Sequence, residues 1–208
     1  MRTIGRGAFA FARDASGSGK MDDMLAGSIL ALLFFASAPQ FALHDTKGGV
    51  HTTAEWAQAK AVLVFFVTVD CPVGNGYVPE MNRIREDYAS RGVVTWAVQA
   101  DPYVPQPAVV KYATDYHFAF PLLLDPAQTL VKDTGATITP QAAILSPAGK
   151  LLYLGRIDNR VEDFGVSRQK ATVQDLRNAL DEVLAGKPVS PDRTKSVGCA
   201  IPLQDYRK

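Results

Sequence analysis

The chain has 208 residues, room for one ordinary domain with appendages, and its 22 Lys+Arg against 21 Asp+Glu leave a formal charge of +1, which argues against a nucleic-acid binder. With 47% apolar and 21% charged residues a packed core is within reach and wholesale disorder is not expected. Two cysteines, Cys71 and Cys199, are too few for a disulfide-dense scaffold or a four-thiolate zinc site, and His44, His51 and His117 have no metal-binding spacing.

Residues 1–42 read as an address. Met24 to Leu43 carry no charge, their apolar centre runs from Leu25 to Ala36, and Arg2, Arg6, Arg13 and Lys20 lie upstream. A basic start, an apolar core and the Ala36-Ser37-Ala38 ending form an export signal, or, over the full 24–43 stretch, an uncleaved membrane tether. Either reading places the protein outside the cytoplasm, in a periplasm or anchored facing it, where disulfides persist.

The remaining elements belong to one domain over 43–189 and a tail over 190–208. Thr52 or Thr53 caps a short helix through Glu55 and Trp56. Ala61 to Val69 is a continuous apolar, β-branched and aromatic run, the pattern of a strand buried on both faces. Pro79 to Ser90 has helical spacing through Met81, Ile84 and Tyr88, and Val93 to Ala100 is the next strand. Asp101 to Pro107 is a proline-rich loop, and Ala108 to Tyr116 a helix. A short strand over Phe120 to Leu124 and a short helix over Ala127 to Asp133 follow. Gln141 to Leu145 and Leu151 to Ile157 form a hairpin about Ser146 to Lys150. Thr172 is expected to cap a helix carrying Leu176, Ala179, Leu180, Val183 and Leu184 on one face. Alternating strands and helices make an α/β layered domain, a mixed sheet with helices on both faces. The tail has no period and contains Cys199.

Cys71 directly follows the buried strand and precedes a helix. In open α/β sheets such strand ends are where ligands bind. The positive end of a helix dipole stabilises a thiolate, the nucleophilic form of sulfur. Pro72 suits the first helical turn because it has no N–H to leave unpaired. A buried structural cysteine is the competing reading.

The stretch Phe65 to Glu80, FFVTVDCPVGNGYVPE, resembles the thioredoxin-like superfamily, and within it the redoxin and AhpC/TSA group. Cys71 stands at the nucleophile position, Pro79 where thioredoxins kink the helix, and Thr139-Pro140 where they carry a cis-proline dipeptide. Phe120 to Pro140 resembles the strand-helix insertion of redoxins, and Thr194 to Ile201 (TKSVGCAI) the end of a bacterial subgroup with CP-x-x-N at the first cysteine. The resemblance implies a thioredoxin-like fold and a thiol-disulfide oxidoreductase using Cys71, with Cys199 as its resolving thiol. The substrate is then a protein disulfide or thiol, with an external thiol reductant. No organic or metal cofactor is implied. Thr68, Asn75, Tyr77, Thr139 and Pro140 are the expected substrate-side residues. If the Thr139–Pro140 bond is cis, the Thr139 backbone lies near Cys71 and can pair with an extended substrate strand.

Departures from the family patterns place the motif evidence between two activities. Gly74 stands where a CxxC motif has its second cysteine. Thr68 fits the peroxiredoxin pattern P-x-x-x-T-x-x-C, but Val64 replaces its proline. Gly76 replaces the subgroup's arginine, and no arginine occurs over 139–145. A peroxiredoxin-like thiol peroxidase is therefore the alternative, with a redox-inactive binding protein of the same fold or a metallochaperone using Cys71 with Cys199 or His117 behind it. A Cys71–Cys199 bond within one chain closes a loop of about 129 residues, worth on the order of 5 kcal/mol in the chain-entropy model. Arg156, Asp158 and Arg160 read as a solvated ion-pair face. The sequence leaves the oligomeric state open.

Overall fold

The protein was analysed as a computed structural model that describes residues 40–204. Nearly all of the leader, residues 1–39, lies outside the described residues, as do residues 205–208. The end of the uncharged run is already domain. β1 (Ala42–His44) pairs antiparallel with β2 (Val50–Thr52), and Leu43 is buried. Asp45 shapes the turn between them by accepting the Lys47 and Gly49 N–H groups at 2.8 and 2.7 Å. The expected cap at Thr52 is present as a full capping box with Glu55, opening a 3-10 turn over Thr53–Trp56.

β3 (Ala61–Val67) is buried along its whole length because both its faces are covered. Leu63, Phe65 and Val67 face one core and Val62, Val64 and Phe66 the other, as the two-residue strand period requires. The first core is closed by α1 (Pro72–Ala89), through Tyr77, Val78, Met81 and Ile84. The second holds Trp56 and Trp96 in tilted contact at 5.7 Å. β4 (Val93–Gln99) lies parallel to β3 with Ala97 opposite Phe65. α2 (Gln106–Asp115) starts inside the stretch read as loop, since Pro105 and Pro107 sit where no helical N–H is needed.

β5 (Leu122–Leu124) and α3 (Thr129–Thr134) form the strand-helix insertion. β6 (Ile138–Thr139) and β7 (Gln141–Leu145) are separated by Pro140 alone. β8 (Leu151–Gly155) completes a five-stranded sheet of order β5-β4-β3-β7-β8, parallel from β5 to β3 and antiparallel beyond. A small hairpin of β9 (Val161–Asp163) and β10 (Val166–Ser167) precedes α4 (Asp175–Leu184), which lays Leu176, Ala179 and Leu180 on the first core. Thr172 does not cap α4. Its hydroxyl accepts from the Asn159 amide at 2.8 Å, and the residue flanking the helix is Gln174, which makes no side-chain cap. Among the described residues no helix is long and apolar enough to cross a membrane.

The described part of the tail is bound to the domain at several points. Leu154 donates its N–H to Asp192, and the Thr194 hydroxyl meets the Tyr153 hydroxyl at 2.7 Å and accepts the Arg156 N–H at 3.0 Å. This docking needs Gly155, because a Cβ there would lie 2.0 Å from Thr194 Oγ1. β11 (Cys199–Ala200) then pairs antiparallel with β6, Cys199 opposite Thr139 and Ala200 opposite Ile138. Ile201 donates its N–H to Thr137 and buries its side chain in the second core. Gln128, fully buried, clamps the far end: its amide donates to Ala100 and Pro202 at 2.9 Å and accepts the Gln204 N–H at 3.1 Å.

Candidate active site

Cys71 is the N-cap of α1, which begins at Pro72 and not at Pro79. Proline tolerated at the first helical position starts the helix early, and Pro79 is carried inside it at the cost of one backbone hydrogen bond. The extended backbone of Cys71 turns its sulfur back over the first turn, where the Gly74 N–H donates to Sγ at 3.3 Å. The Cys71 S–H donates to the Thr139 carbonyl at 2.9 Å. The Thr139–Pro140 peptide is cis. Cys71 has 0% exposure, yet its surroundings are polar on one side: a backbone N–H, a carbonyl and a second thiol.

That second thiol is Cys199. It is half-buried and stands opposite Thr139, the residue whose carbonyl accepts the Cys71 S–H, and both cysteines are free. Burial first, then the Cys71 thiol beside it, pushes the Cys199 thiol up to about 11. A raised thiol pKa favours the folded state below the ordinary thiol range, and that contribution is lost as pH rises toward about 11. Alkylation of Cys199 in the reduced protein should therefore rise with pH toward a midpoint near about 11. Cys71→Ala should lower that midpoint, leaving only the effect of burial. Mass spectrometry of iodoacetamide-treated protein across alkaline pH checks both.

The other expected site residues divide. Thr139 frames the sulfur with its carbonyl, and its hydroxyl donates to the Cys199 carbonyl at 3.4 Å. Pro140 is buried beside Gly74. The Thr68 carbonyl accepts the Cys71 N–H, but its hydroxyl is taken up by the Gln99 amide at 3.2 Å. Asn75 staples the loop, donating to Val69 O and to the Tyr116 hydroxyl. Tyr77 donates to Asp158 at 2.5 Å and carries the Arg160 guanidinium over its ring at 4.3 Å. Burial, then Asp158, raises the Tyr77 phenol above its usual range. Asp158 is thus a buried acceptor and not part of a solvated ion-pair face; Arg156 makes a two-bond pair with Asp175. Tyr77→Phe should cost about 1–2 kcal/mol, seen as a lower denaturant midpoint with unchanged slope.

His117 is exposed and holds a left-handed backbone turn, and among the described residues no group of three metal-ligating side chains occurs. The sequence reading missed Tyr112. Its hydroxyl is buried without a hydrogen-bond partner among the described residues, and burial, then the Cys71 sulfur, pushes its pKa above the usual phenol range. It also missed Gly198: a Cβ there would lie 2.0 Å from the Thr139 carbonyl oxygen, so glycine is what lets the tail reach β6.

The family model for Redoxin matches residues 36–174. The chain belongs to the Redoxin family. It is similar to the thiol-disulfide oxidoreductase ResA of Halalkalibacterium halodurans, at 25% identity over 130 residues, 61% of this chain and 72% of that protein. Among solved structures it is similar to a hypothetical protein of Sinorhizobium meliloti, with 30% identity, a TM-score of 0.67, and coverage of 79% of this chain and 91% of the other. A thiol:disulfide interchange protein of the thioredoxin family from Chlorobium tepidum shares the fold, with 18% identity, a TM-score of 0.52, and coverage of 71% and 95%. The mixed sheet flanked by helices in this redoxin is that of a thioredoxin-like fold.

Proposed function

We propose that this redoxin is a thiol-disulfide oxidoreductase in which Cys71 is the nucleophile and Cys199 of the same chain is the resolving thiol. The observation that carries the reading is that both thiols converge on Thr139, Cys71 through its hydrogen bond to the carbonyl and Cys199 as the residue opposite it in the β6–β11 pair. The Cys71 thiolate attacks one sulfur of a partner's disulfide. A Cys71–partner bond forms and the other partner sulfur leaves as a thiolate, which takes up a proton. Cys199 then loses its proton and attacks the Cys71 sulfur, the partner is released as its second thiol, and the Cys71–Cys199 disulfide remains. Two electrons have passed from the protein's thiols to the substrate disulfide. An external thiol reductant returns the pair to the reduced state.

Disulfide chemistry is favoured over peroxide chemistry by what surrounds the sulfur. Its hydrogen bonds run to the Thr139 carbonyl and the Gly74 N–H, and among the described residues no arginine is hydrogen-bonded to it. The reduced protein mixed with a protein disulfide should lose two hydrogens per chain and yield a linked Cys71–Cys199 peptide pair. Failure of that pair to form, with rapid conversion of Cys71 to sulfenic acid by peroxide, overturns the reading in favour of a peroxidase.

Export or tethering outside the cytoplasm fits this chemistry, since a disulfide substrate persists there. It is supported by the leader pattern over residues 24–38. Cell fractionation with N-terminal sequencing distinguishes a chain cut after Ala38 from one held uncut in the membrane. A cytoplasmic, full-length chain defeats both.

A further inference from the structure

The thiol opposite Thr139 is held there as one residue of a bound strand. Residues 198–201 lie extended along β6 as a guest peptide would, with main-chain pairing to the host and side chains that fit or fail by shape. Gly198 passes the Thr139 carbonyl where no Cβ fits. Cys199 stands opposite Thr139, whose carbonyl holds the nucleophile. Ala200 is exposed, and Ile201 fills a buried apolar position. The strand is secured at both ends, by Thr194 on β8 and by the Gln128 clamp.

We propose that residues 198–201 are a tethered stand-in for the partner's own polypeptide, and that the β6 groove binds extended protein segments of the pattern glycine–cysteine–any–apolar once the tail lifts. The proposal rests on the reading of Cys71 as nucleophile. With the tail docked, Cys71 has no exposure and an outside disulfide has no line to it. With the tail off, the Ile138–Thr139 backbone is free to pair with an antiparallel strand that brings its cysteine opposite Thr139. The same backbone oxygen that demands glycine at 198 demands it of the guest, and the pocket of Ile201 takes the guest's apolar side chain. Because the tail is covalently attached it competes at high effective concentration. A segment that fits less well than the tail is refused.

The test uses the full chain with Cys199→Ser, so that iodoacetamide reads Cys71 alone. Gly198→Ala and, separately, Ile201→Ser lift the tail, and cooperative thermal unfolding of each verifies that the domain still folds. Lifting should speed Cys71 alkylation about tenfold or more, since reaction then no longer waits on local opening. A synthetic peptide copying residues 195–204, with serine for the cysteine, should slow the lifted variants back toward the docked rate. A copy with alanine for the glycine should not. Equal alkylation rates with the tail docked and lifted overturn the proposal, as does equal protection by the two peptides. Disulfide exchange is assayed separately on the unsubstituted protein. Exchange without tail dependence defeats the groove alone, while tail dependence without exchange defeats the nucleophile and leaves the groove standing.

Discussion

Cys71→Ser is expected to remove disulfide exchange, by on the order of 10³-fold or more, without unfolding the protein. The hydroxyl of serine stays protonated at neutral pH and does not attack a disulfide, whereas it can still accept the Gly74 N–H that caps α1. Loss of chemistry and loss of structure are thus separable at this position. Cys199→Ser should do something different. The first attack proceeds, the second has no thiol, and the chain accumulates as a mixed disulfide with its substrate. Non-reducing electrophoresis of each variant with a protein disulfide reads both outcomes. Adducts on Cys71→Ser, with none on Cys199→Ser, would reverse the roles of the two thiols.

Gly74→Cys is expected to redirect the disulfide. A Cβ at position 74 would lie 3.5 Å from the Cys71 Cβ, at the near edge of the roughly 3.5–4.5 Å range of bonded cysteines. The same Cβ would stand 3.5 Å from the Cys71 sulfur and 3.8 Å from the Pro140 ring, ordinary contact distances, so the side chain has room. A thiol there is held by the helix in every conformation, while Cys199 is in reach only when the tail is docked. A guest strand on β6 keeps the tail off, and the local thiol then attacks first. Peptide mapping after one turnover should find Cys71 joined to residue 74 and Cys199 alkylatable. A persistent Cys71–Cys199 pair would mean that the docked tail outcompetes a neighbour one helical turn away.

The parts legible in the sequence are those whose cause is local. The apolar run from Ala61 to Val69 reads as a strand covered on both faces, and the structure sets its first seven residues alternately into two cores. Thr52 with Glu55 announced a cap, and Cys71-Pro72 a helix start after a strand. The resemblance around Cys71 and at Thr139-Pro140 pointed to the fold and the nucleophile. What misled was also local: Thr172 looks like a cap by residue type, but Asn159, thirteen residues away, claims it. Asp158 looks solvated between two arginines, but Tyr77, 81 positions distant, buries it.

The sequence by itself determined the sheet's central strand, the start of the helix that Cys71 caps, and the presence of two thiols without a CxxC. Only the tertiary structure decided that both come to Thr139. That convergence depends on strands two residues long, a clamp from Gln128 and two glycines at positions where a Cβ would lie 2.0 Å from its obstacle. Periodicity needs several residues to register, and a two-residue strand has none. Its pairing energy comes from backbone groups 60 positions apart, which become neighbours only after the sheet has formed.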